Sequence, residues 1–430
     1  MYGFVAGLIL FLWCVIVAIV CRDKWHPAAV FPATWALGLW GVSVSEFLGF
    51  YPIESGALLL YIVGGLVFSV VGIATYNILR KANSNSLAAG YFYNPINARR
   101  MVVFFCILHV AILPSIYIDL TSLSPDLIQA AYIARHRSVE GDNVLGWAAS
   151  NYLQIGTMLI PLFVVCYLKK WCSAPVLLLI STPWALLILL ASGRSGLLQL
   201  LIGLFFIWII VRGKLSATFI ILVGGCFLLV LIGGAIATAK VAIDSDESAG
   251  DFIYTFLEHF AGYAFQGPVL FARYFDGDIS LEPLWSPFSS ICHMLSFVSL
   301  CAPDPQHLAF NRYAPELEGN VYSMYFSLYP KFGVIGVIGF LSLYSVISTY
   351  AYFKAKAGNV YYMMLASFFM SSIVLSIFSD QISSSWWSLI KLTVLIALVF
   401  FLFTDRKKIR REREKAAYGA HQITTRLPSP

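Results

Sequence analysis

The stretch Ala185-Leu-Leu-Ile-Leu-Leu-Ala-Ser-Gly-Arg194-Ser-Gly-Leu-Leu-Gln-Leu200 places one charged residue between two long apolar runs. Each run predicts a membrane-spanning helix, and almost no polar loop separates them. A cation at such a depth costs a few kcal/mol unless it faces a cavity or a binding partner, so its default interpretation is functional. Arg194 is therefore the first candidate for a functional site.

The composition extends this prediction to the whole chain. Hydrophobic residues make up 59% of the 430 positions and only 12% are charged, which is more apolar surface than a soluble domain can bury. Runs of about 17–24 apolar residues match a hydrocarbon core roughly 30 Å thick. Eleven such runs lie at about 2–20, 27–46, 56–79, 101–118, 147–168, 175–191, 196–211, 217–239, 332–353, 360–378 and 386–403. We predict an all-α polytopic integral membrane protein with about 11 transmembrane helices.

The basic residues predict an orientation for these helices. Twelve fall in alternate connections and eight follow Thr404, so 20 of the 28 lysines and arginines share one side. The positive-inside rule makes that side cytoplasmic. Residues 1–403 then form a single transmembrane domain with outer loops at about 119–146 and 240–331, and residues 404–430 form a basic cytoplasmic tail. This tail supplies most of the net charge of +6, which therefore does not indicate nucleic acid.

The second outer loop is far longer than ordinary connections, which indicates a functional or partly structured segment. Its apolar stretches at 252–275 and 283–300 predict interfacial or re-entrant helices that lie over the membrane domain. Cys292 and Cys301 both lie in this loop, where an oxidising compartment would permit a disulfide. We therefore expect the working face to be the outer one.

Arginines, tyrosines and amides gather in these outer loops. Arginine presents planar paired donors that fit phosphate oxygens, and tyrosine suits stacking against sugar rings at a membrane interface. A lipid pyrophosphate that carries a glycan needs both features. The predicted substrate-binding residues are Arg194, Arg273, Arg135, Arg312, Arg137, Asn320 and Tyr322. The alternative for an outer-loop arginine is contact with lipid head groups or neutralisation of the acidic loop.

Several outer residues qualify as a general base. The candidates are His136, His259, His293, His307, Glu316 and Glu318. His307, Arg312, Glu316 and Asn320 fall within fourteen residues of one another, although exposed loop polarity explains the same density equally well.

Other polar groups are assigned to structure. Asp244-Ser-Asp246-Glu247 is similar to a metal motif of nucleotide-sugar enzymes, but it lies on the outer side, away from nucleotide sugars. No His/Cys cluster has metal-ligand spacing, so we predict no metal and no cofactor. Lys391 is expected to pair with Asp380 at the outer helix ends, and His109 to be hydrogen-bonded inside a span.

Three stretches, in this order along the chain, carry a family resemblance. The first is Ser192-Gly-Arg-Ser-Gly196 before a leucine-rich helix, and the second is Gly262-Tyr-Ala-Phe-Gln-Gly-Pro-Val-Leu-Phe271, followed by Pro283-Leu-Trp-Ser-Pro-Phe288. The third is Gly319-Asn-Val-Tyr-Ser-Met-Tyr325, leading into Tyr329-Pro-Lys-Phe-Gly333. Together with many helices and two outer loops that bear arginines, they resemble the Wzy-type O-antigen polymerases.

The resemblance implies a GT-C-like glycosyltransferase in the inner (plasma) membrane, active at its periplasmic or extracellular face. The donor and the acceptor would be polyprenyl-diphosphate-linked glycans, with polyprenyl diphosphate as the leaving group. Arg194, Arg273 and Arg135 would stabilise the charge on this leaving group, and His307 or Glu316 would take the acceptor's proton. The resemblance also suggests a chain-length regulator and a flippase as partners, besides the lipid bilayer.

Two alternatives stay open at this point. An O-antigen ligase-like enzyme would share the donor chemistry but transfer the glycan to a lipid-anchored core sugar. A polysaccharide flippase or another transporter would need polar groups at the membrane midplane and often has an internal repeat. The sequence shows no repeat, and its unexplained charges lie on the outer side.

Overall fold

The computed structural model describes residues 2–84, 97–139, 146–190, 194–214, 221, 224–225, 249–280, 287–300 and 309–404. Within these ranges the chain forms thirteen α-helices and one two-stranded hairpin. The helices are α1 (Tyr2–Cys21), α2 (Pro27–Ser45), α3 (Ser55–Ser84), α4 (Ala98–Thr121), α5 (Leu127–Val139), α6 (Trp147–Leu168), α7 (Ala174–Leu190), α8 (Arg194–Arg212), α9 (Ala249–Phe275), α10 (Ser289–Leu295), α11 (Met324–Lys356), α12 (Val360–Val374) and α13 (Trp386–Phe403). The strands are β1 (Asn311–Arg312) and β2 (Glu318–Gly319).

Eight helices of the described residues are long and apolar enough to cross a membrane, which confirms a multi-pass all-α membrane protein. They are Tyr2–Cys21, Pro27–Leu48, Ser55–Ala82, Arg99–Thr121, Ala149–Leu168, Met324–Lys356, Val360–Ile377 and Ser383–Phe403. Two shorter apolar helices, Ala174–Ile188 and Gly196–Arg212, coincide with two further predicted spans. The predicted span at 217–239 falls almost wholly outside the described residues, as does the tail after Thr404. The total of eleven spans and the GT-C-like arrangement therefore stay predictions.

Contacts between the described connections define two ends of the bundle. We call one the basic end, because it holds the cationic connections after α1, α3, α6, α8 and α11. Side-chain contacts join these connections: Lys169 Nζ donates to the Gly358 carbonyl at 3.0 Å, and the Tyr352 hydroxyl donates to the Asp23 carboxylate at 2.9 Å. The opposite end, which carries β1 and β2, is called the hairpin end.

An aromatic cluster fixes the centre of the bundle. Trp35 of α2 is fully buried, stacks on Tyr61 of α3 at 4.7 Å between ring centroids and meets Tyr325 of α11 edge-on at 4.8 Å. Its indole N–H donates to the Ser376 hydroxyl at 3.0 Å. Because lipid is as apolar as these side chains, close packing and internal hydrogen bonds hold such helices together. Gly41 allows a similar close approach between α2 and α9, since a Cβ there would overlap the Phe265 ring.

The helix α9 lies at the hairpin end against α2, α3 and α11. Its buried segment at 269–272 packs inward, and the Pro268 carbonyl accepts a hydrogen bond from the Tyr61 hydroxyl at 2.8 Å. Tyr254 and Leu257, near its start, are exposed. The helix predicted at 252–275 is thus confirmed, and α9 is not among the candidate spans. The stretch predicted at 283–300 contains only the short helix α10 and one 3-10 turn among its described residues.

His26 caps the N-terminus of α2 at the basic end, and this cap requires the neutral imidazole ring. Its Nδ1 accepts a hydrogen bond from the Ala28 backbone N–H at 3.2 Å, and the ring lies between Tyr76 at 5.0 Å and Tyr352 at 5.8 Å. Burial lowers the pKa of His26 from 6.5 to about 4, opposed by Asp23 and assisted by Lys356. Because the pKa of His26 is lower in the folded protein than in the unfolded chain, the neutral ring contributes its full stability above pH 6.5. This stability is lost as the pH falls from 6.5 towards 4.

We therefore expect acid to destabilise the protein through His26. The loss by pH 4 is on the order of 3 kcal/mol, because protonation removes the cap acceptor and buries a charge. His26→Asn keeps a side-chain acceptor at the cap position but cannot titrate. Thermal unfolding in detergent should show a shallower loss of stability on acidification for His26→Asn than for wild type. Parallel pH profiles of the two proteins would contradict this assignment.

Candidate functional site

A cleft with a volume of about 170 Å³, lined by both polar and apolar residues, lies between α6, α8, α12 and α13. Such a volume admits several water molecules or one phosphate-sized group. The polar lining residues are Gln154, Thr157, Gln199, Ser367, Ser371, Ser385 and Ser388, and the others include Gly196, Gly203, Met158, Phe368 and Leu392. A cleft with this lining, inside an otherwise apolar bundle, is the strongest candidate site in the described part of the chain.

Helical spacing explains how these groups converge. Gln154 and Thr157 are three residues apart on α6, and Ser367 and Ser371 are four apart on α12, so each pair lies on one helix face. On α8 the small residue Gly203 lets α12 approach, because a Cβ there would lie 2.6 Å from the Ser367 hydroxyl. The cleft is thus a set of polar helix faces turned towards one another.

Lys391 lies beside this cleft and contacts one of its lining residues, Gln154. Its Nζ donates to Gln154 Oε1 at 2.9 Å and to Asn151 Oδ1 at 3.3 Å, and it lies over the Trp387 ring at 5.6 Å. All three partners are neutral, and Lys391 forms no ion pair within the described residues. A cation left without a counter-ion at this depth favours binding of an anion from outside the protein.

The predicted pair between Lys391 and Asp380 is wrong. The buried Asp380 carboxylate accepts from the hydroxyls of Ser327 at 2.7 Å and Tyr344 at 3.1 Å. It also accepts from the backbone N–H groups of Ile382 and Ser383 at 3.0 Å each. Asp380 is therefore satisfied by the turn that precedes α13, while Lys391 extends from α13 towards α6.

The N-terminus of α8 lies at the cleft. The helix begins at Arg194, and Gly196 in its first turn lines the cleft. The first backbone N–H groups of a helix have no partners within the helix and carry its positive dipole end, which favours anions. One turn further on, the buried Nε2 of Gln199 has no hydrogen-bond partner in the described structure. Backbone donors, a side-chain donor and the Lys391 ammonium thus suit a ligand with several anionic oxygens.

The hairpin holds several of the predicted site residues. Arg312 pairs across it with Glu318, Nε to Oε1 at 3.2 Å, with 63% and 51% of the two side chains exposed. Such an exposed pair contributes about 0–1 kcal/mol, so Arg312 is available to a ligand. Glu316 is exposed in the turn, and Asn320 is half-buried just after β2.

Tyr322 and Arg273 hold this hairpin in place. Tyr322 is 3% exposed, its hydroxyl accepts from Asn311 at 2.8 Å and donates to the Ala309 carbonyl at 3.1 Å, and burial raises its pKa to about 12. Arg273 stacks on Tyr51 at 4.4 Å and donates to the Arg312 carbonyl at 2.6 Å. Both residues were predicted to bind substrate, but their polar atoms already contact protein groups.

The hairpin and the start of α8 are neighbours across α9. Phe260 and Tyr263 of α9 pack against a small cluster formed by Leu198 of α8 and Leu375, while a Cβ at Gly262 would lie 2.5 Å from the Tyr313 hydroxyl of the hairpin. This turn of α9 therefore lies between the hairpin and that cluster. Arg273 lies ten residues beyond Tyr263, roughly 15 Å further along the helix axis.

The structure describes the remaining predicted residues only in part. Arg137 is exposed near the end of α5. Arg135 belongs to the same helix, but its side chain and that of Arg194 lie outside the described structure, as does the whole of His307. Cys292 is disulfide-bonded, and its predicted partner Cys301 lies outside the described ranges, so this pairing stays a prediction. Among the described residues, no group of three or more His, Cys, Asp or Glu is placed to hold a metal ion.

The residues of the cleft were not predicted from the sequence. Gln154, Gln199 and the serines around them are single polar residues within apolar runs, a pattern that does not by itself indicate a site. The signal that could have identified them is the spacing: Asn151, Gln154 and Thr157 place three polar side chains on one face of a predicted span. A polar stripe inside a membrane helix indicates a partner or a cavity.

Comparisons with protein-family models, with curated proteins and with solved structures find no match for this chain. The resemblance to the Wzy-type polymerases therefore stays a prediction. The class that the described structure defines is a multi-pass helical membrane protein with a cleft of mixed polar and apolar lining between α6, α8, α12 and α13, next to Lys391.

We expect Arg273→Gln to loosen the hairpin without unfolding the bundle. The variant loses a hydrogen bond and a cation–π contact, each of about 1 kcal/mol, from a side chain that is 21% exposed. Backbone hydrogen exchange at 309–323 should accelerate. Arg312→Gln, the matched control, removes an exposed side chain and should leave exchange nearly unchanged. Equal exchange rates in wild type and Arg273→Gln would contradict the assigned role.

Proposed function

We propose that this protein polymerises polyprenyl-diphosphate-linked oligosaccharide repeat units into a surface polysaccharide at the outer face of the inner membrane. The observation that carries the proposal is the cleft at the start of α8, which is lined by glutamine and serine side chains and has the Lys391 ammonium beside it, between helices long enough or apolar enough to cross a bilayer. A lipid diphosphate combines a hydrocarbon chain with several anionic oxygens. It therefore needs an anion site within a helical bundle and near its end, which is where the cleft lies.

The donor's diphosphate would bind where α8 begins. The backbone N–H groups there, the Lys391 ammonium and the Gln199 amide would donate hydrogen bonds to its oxygens, and Arg194 would add paired guanidinium donors. Such fixed donors act most strongly where water is excluded. We assign Arg194 and Lys391 to the diphosphate and regard Arg273 as a positioning residue for the hairpin.

Glycosyl transfer follows from this placement. A hydroxyl of the acceptor repeat unit attacks the anomeric carbon of the donor glycan, and the bond from that carbon to the diphosphate oxygen breaks. Negative charge accumulates on the leaving diphosphate, where the cationic groups of the cleft stabilise it. The acceptor's proton passes to a carboxylate or a histidine, for which Glu316 on the exposed turn and His307 are the candidates.

The hairpin offers a surface for the glycan. Phe310 is exposed, and Arg312 and Glu316 are exposed on the same hairpin, next to the half-buried Asn320. An aromatic face with hydrogen-bonding side chains around it suits a sugar ring. Since one turn of α9 lies between the hairpin and the cluster that contains Leu198 of α8, a glycan attached to a diphosphate in the cleft would extend towards this surface.

Cysteine chemistry supports the proposed orientation. Cys292, at the hairpin end, is disulfide-bonded, whereas Cys21 and Cys172, at the basic end, are free. Disulfides persist in oxidising compartments and are rare in the cytosol. The excess of lysine and arginine at the basic end favours the same assignment, with the hairpin end outside.

The first test is Arg194→Ala in cells that lack the native protein. We expect surface glycan to lose its ladder on a gel and single lipid-linked repeat units to accumulate, because the leaving group is no longer stabilised. Arg194→Lys should restore extension poorly, since an ammonium cannot present paired donors. Arg212→Ala, at the other end of α8, is the matched control and should keep the ladder.

The outcomes of this test separate the alternatives. An unchanged ladder with normally inserted Arg194→Ala protein would refute the role of this residue. Polymer stranded on polyprenyl diphosphate, with bare lipid core, would indicate a ligase-like enzyme. Single units trapped on the inner leaflet would indicate a flippase.

A second expectation concerns Lys391. Lys391→Met keeps the length of the side chain but removes the cation beside the cleft, so the rate of extension by purified protein should fall roughly 100-fold. Lys331→Met removes an exposed cation of the same end and should change the rate little. A rate for Lys391→Met within about twofold of wild type would contradict a catalytic role for the cleft, given the size of such electrostatic contributions.

A further inference from the structure

A second cavity lies at the basic end, remote from the cleft. Its volume is about 570 Å³, and it is enclosed by the turn between α1 and α2 together with α3, α8 and α11. Four cations line it: Arg22 and Lys24 from the turn, Arg80 from α3 and Lys356 from α11. They come from three separate parts of the sequence, so the fold and not a local run of charges brings them together.

The single acid in this lining does not neutralise it. The Asp23 carboxylate accepts from the Tyr352 hydroxyl at 2.9 Å and from the Trp25 backbone N–H at 3.0 Å, and it pairs with Lys356 at 3.4 Å. Arg22 and Arg80 form no ion pair within the described residues. Three positive charges are left in excess, and the two arginines are exposed to whatever enters.

The position of the cavity indicates the membrane interface. Arg22 follows the last residue of α1, and Arg80 lies in the last turns of α3, where these helices leave the hydrocarbon layer. Trp25 and Tyr76 also line the cavity, and such amphipathic rings concentrate at the level of lipid head groups. Lys24 lies over the Trp25 ring at 5.6 Å, which holds one of the cations at this level.

We propose that this cavity binds the phosphate head group of an anionic phospholipid from the adjacent leaflet. Basic pockets between membrane helices are suited to such head groups, because arginine forks match phosphate oxygens while the acyl chains stay in the bilayer. The volume is appropriate for a glycerophosphate head group. A lipid held there would join the α1–α2 turn to α3 and α11 and would stabilise the basic end of the bundle.

The test uses the full-length protein in phosphatidylcholine nanodiscs that contain a small fraction of phosphatidylglycerol. Native mass spectrometry counts the lipids that stay bound. Wild type should retain phosphatidylglycerol in preference to phosphatidylcholine, and Arg22→Gln/Arg80→Gln should weaken this retention at least roughly tenfold. The matched control is Lys170→Gln/Arg100→Gln, which removes two exposed cations of the same end outside the cavity and should bind as wild type does.

The thermal stability of the same samples identifies the source of the phosphate. Phosphatidylglycerol should raise the melting temperature of wild type and not that of Arg22→Gln/Arg80→Gln, whereas inorganic phosphate should have little effect on either. An equal effect of inorganic phosphate would overturn the lipid assignment in favour of a soluble phosphate. Equal lipid retention by wild type and Arg22→Gln/Arg80→Gln, or an equal loss in the control, would overturn the site itself.

Discussion

A polar side chain within a hydrocarbon layer has no water to bond, so the protein must satisfy it or leave it for a ligand. His109 and Asp380 follow the first course: the histidine contacts the Tyr152 hydroxyl and the Ile180 carbonyl, and the carboxylate accepts from its surrounding turn. Lys391 and Gln199 are not satisfied in this way. The Lys391 ammonium contacts only neutral groups, and the buried Nε2 of Gln199 has no hydrogen-bond partner in the described structure. Gln199 is one of several buried polar groups without a hydrogen-bond partner among the described residues, and it is the one that lines the cleft beside Lys391.

Much of the fold could be predicted from the sequence. Apolar runs of membrane-spanning length identified ten of the described helices, because the bilayer sets their length and the backbone must satisfy itself within each run. The long helix α9 was predicted from the apolar stretch at 252–275, which was expected to form an interfacial or re-entrant helix. The bond pattern of His109 was also anticipated, because a buried imidazole in a helix needs partners.

The composition of the site could not be predicted in the same way. Gln154 and Lys391 are more than two hundred residues apart, and only the packing of α6 against α13 brings them together. The expected pair of Lys391 with Asp380 was wrong because nearness in sequence does not fix the direction of a side chain. Arg273 has the chemistry of a phosphate ligand, but its contacts with Tyr51 and the Arg312 carbonyl tie it to the hairpin.

The charged groups at the two ends of the bundle have different surroundings. At the hairpin end the cations are few and lie beside a cleft, an exposed turn and a disulfide-bonded cysteine. At the basic end they are many, and they surround an open cavity at the level of interfacial aromatics. Phosphate chemistry suits both ends, but a cleft within the bundle and an exposed hairpin fit the proposed lipid-linked glycan, whereas a shallow basic cavity fits the proposed structural lipid.

The most direct test of the central claim measures the binding of polyprenyl diphosphate to the purified protein in nanodiscs, with the uncharged polyprenol as reference. If the cleft is an anion site, the diphosphate should bind at least roughly tenfold more tightly than the alcohol, because the two differ only in the charged group. Gln199→Leu, which removes the unpartnered amide, should reduce that preference. Equal affinities for the diphosphate and the alcohol, or a preference that Gln199→Leu leaves unchanged, would contradict the account.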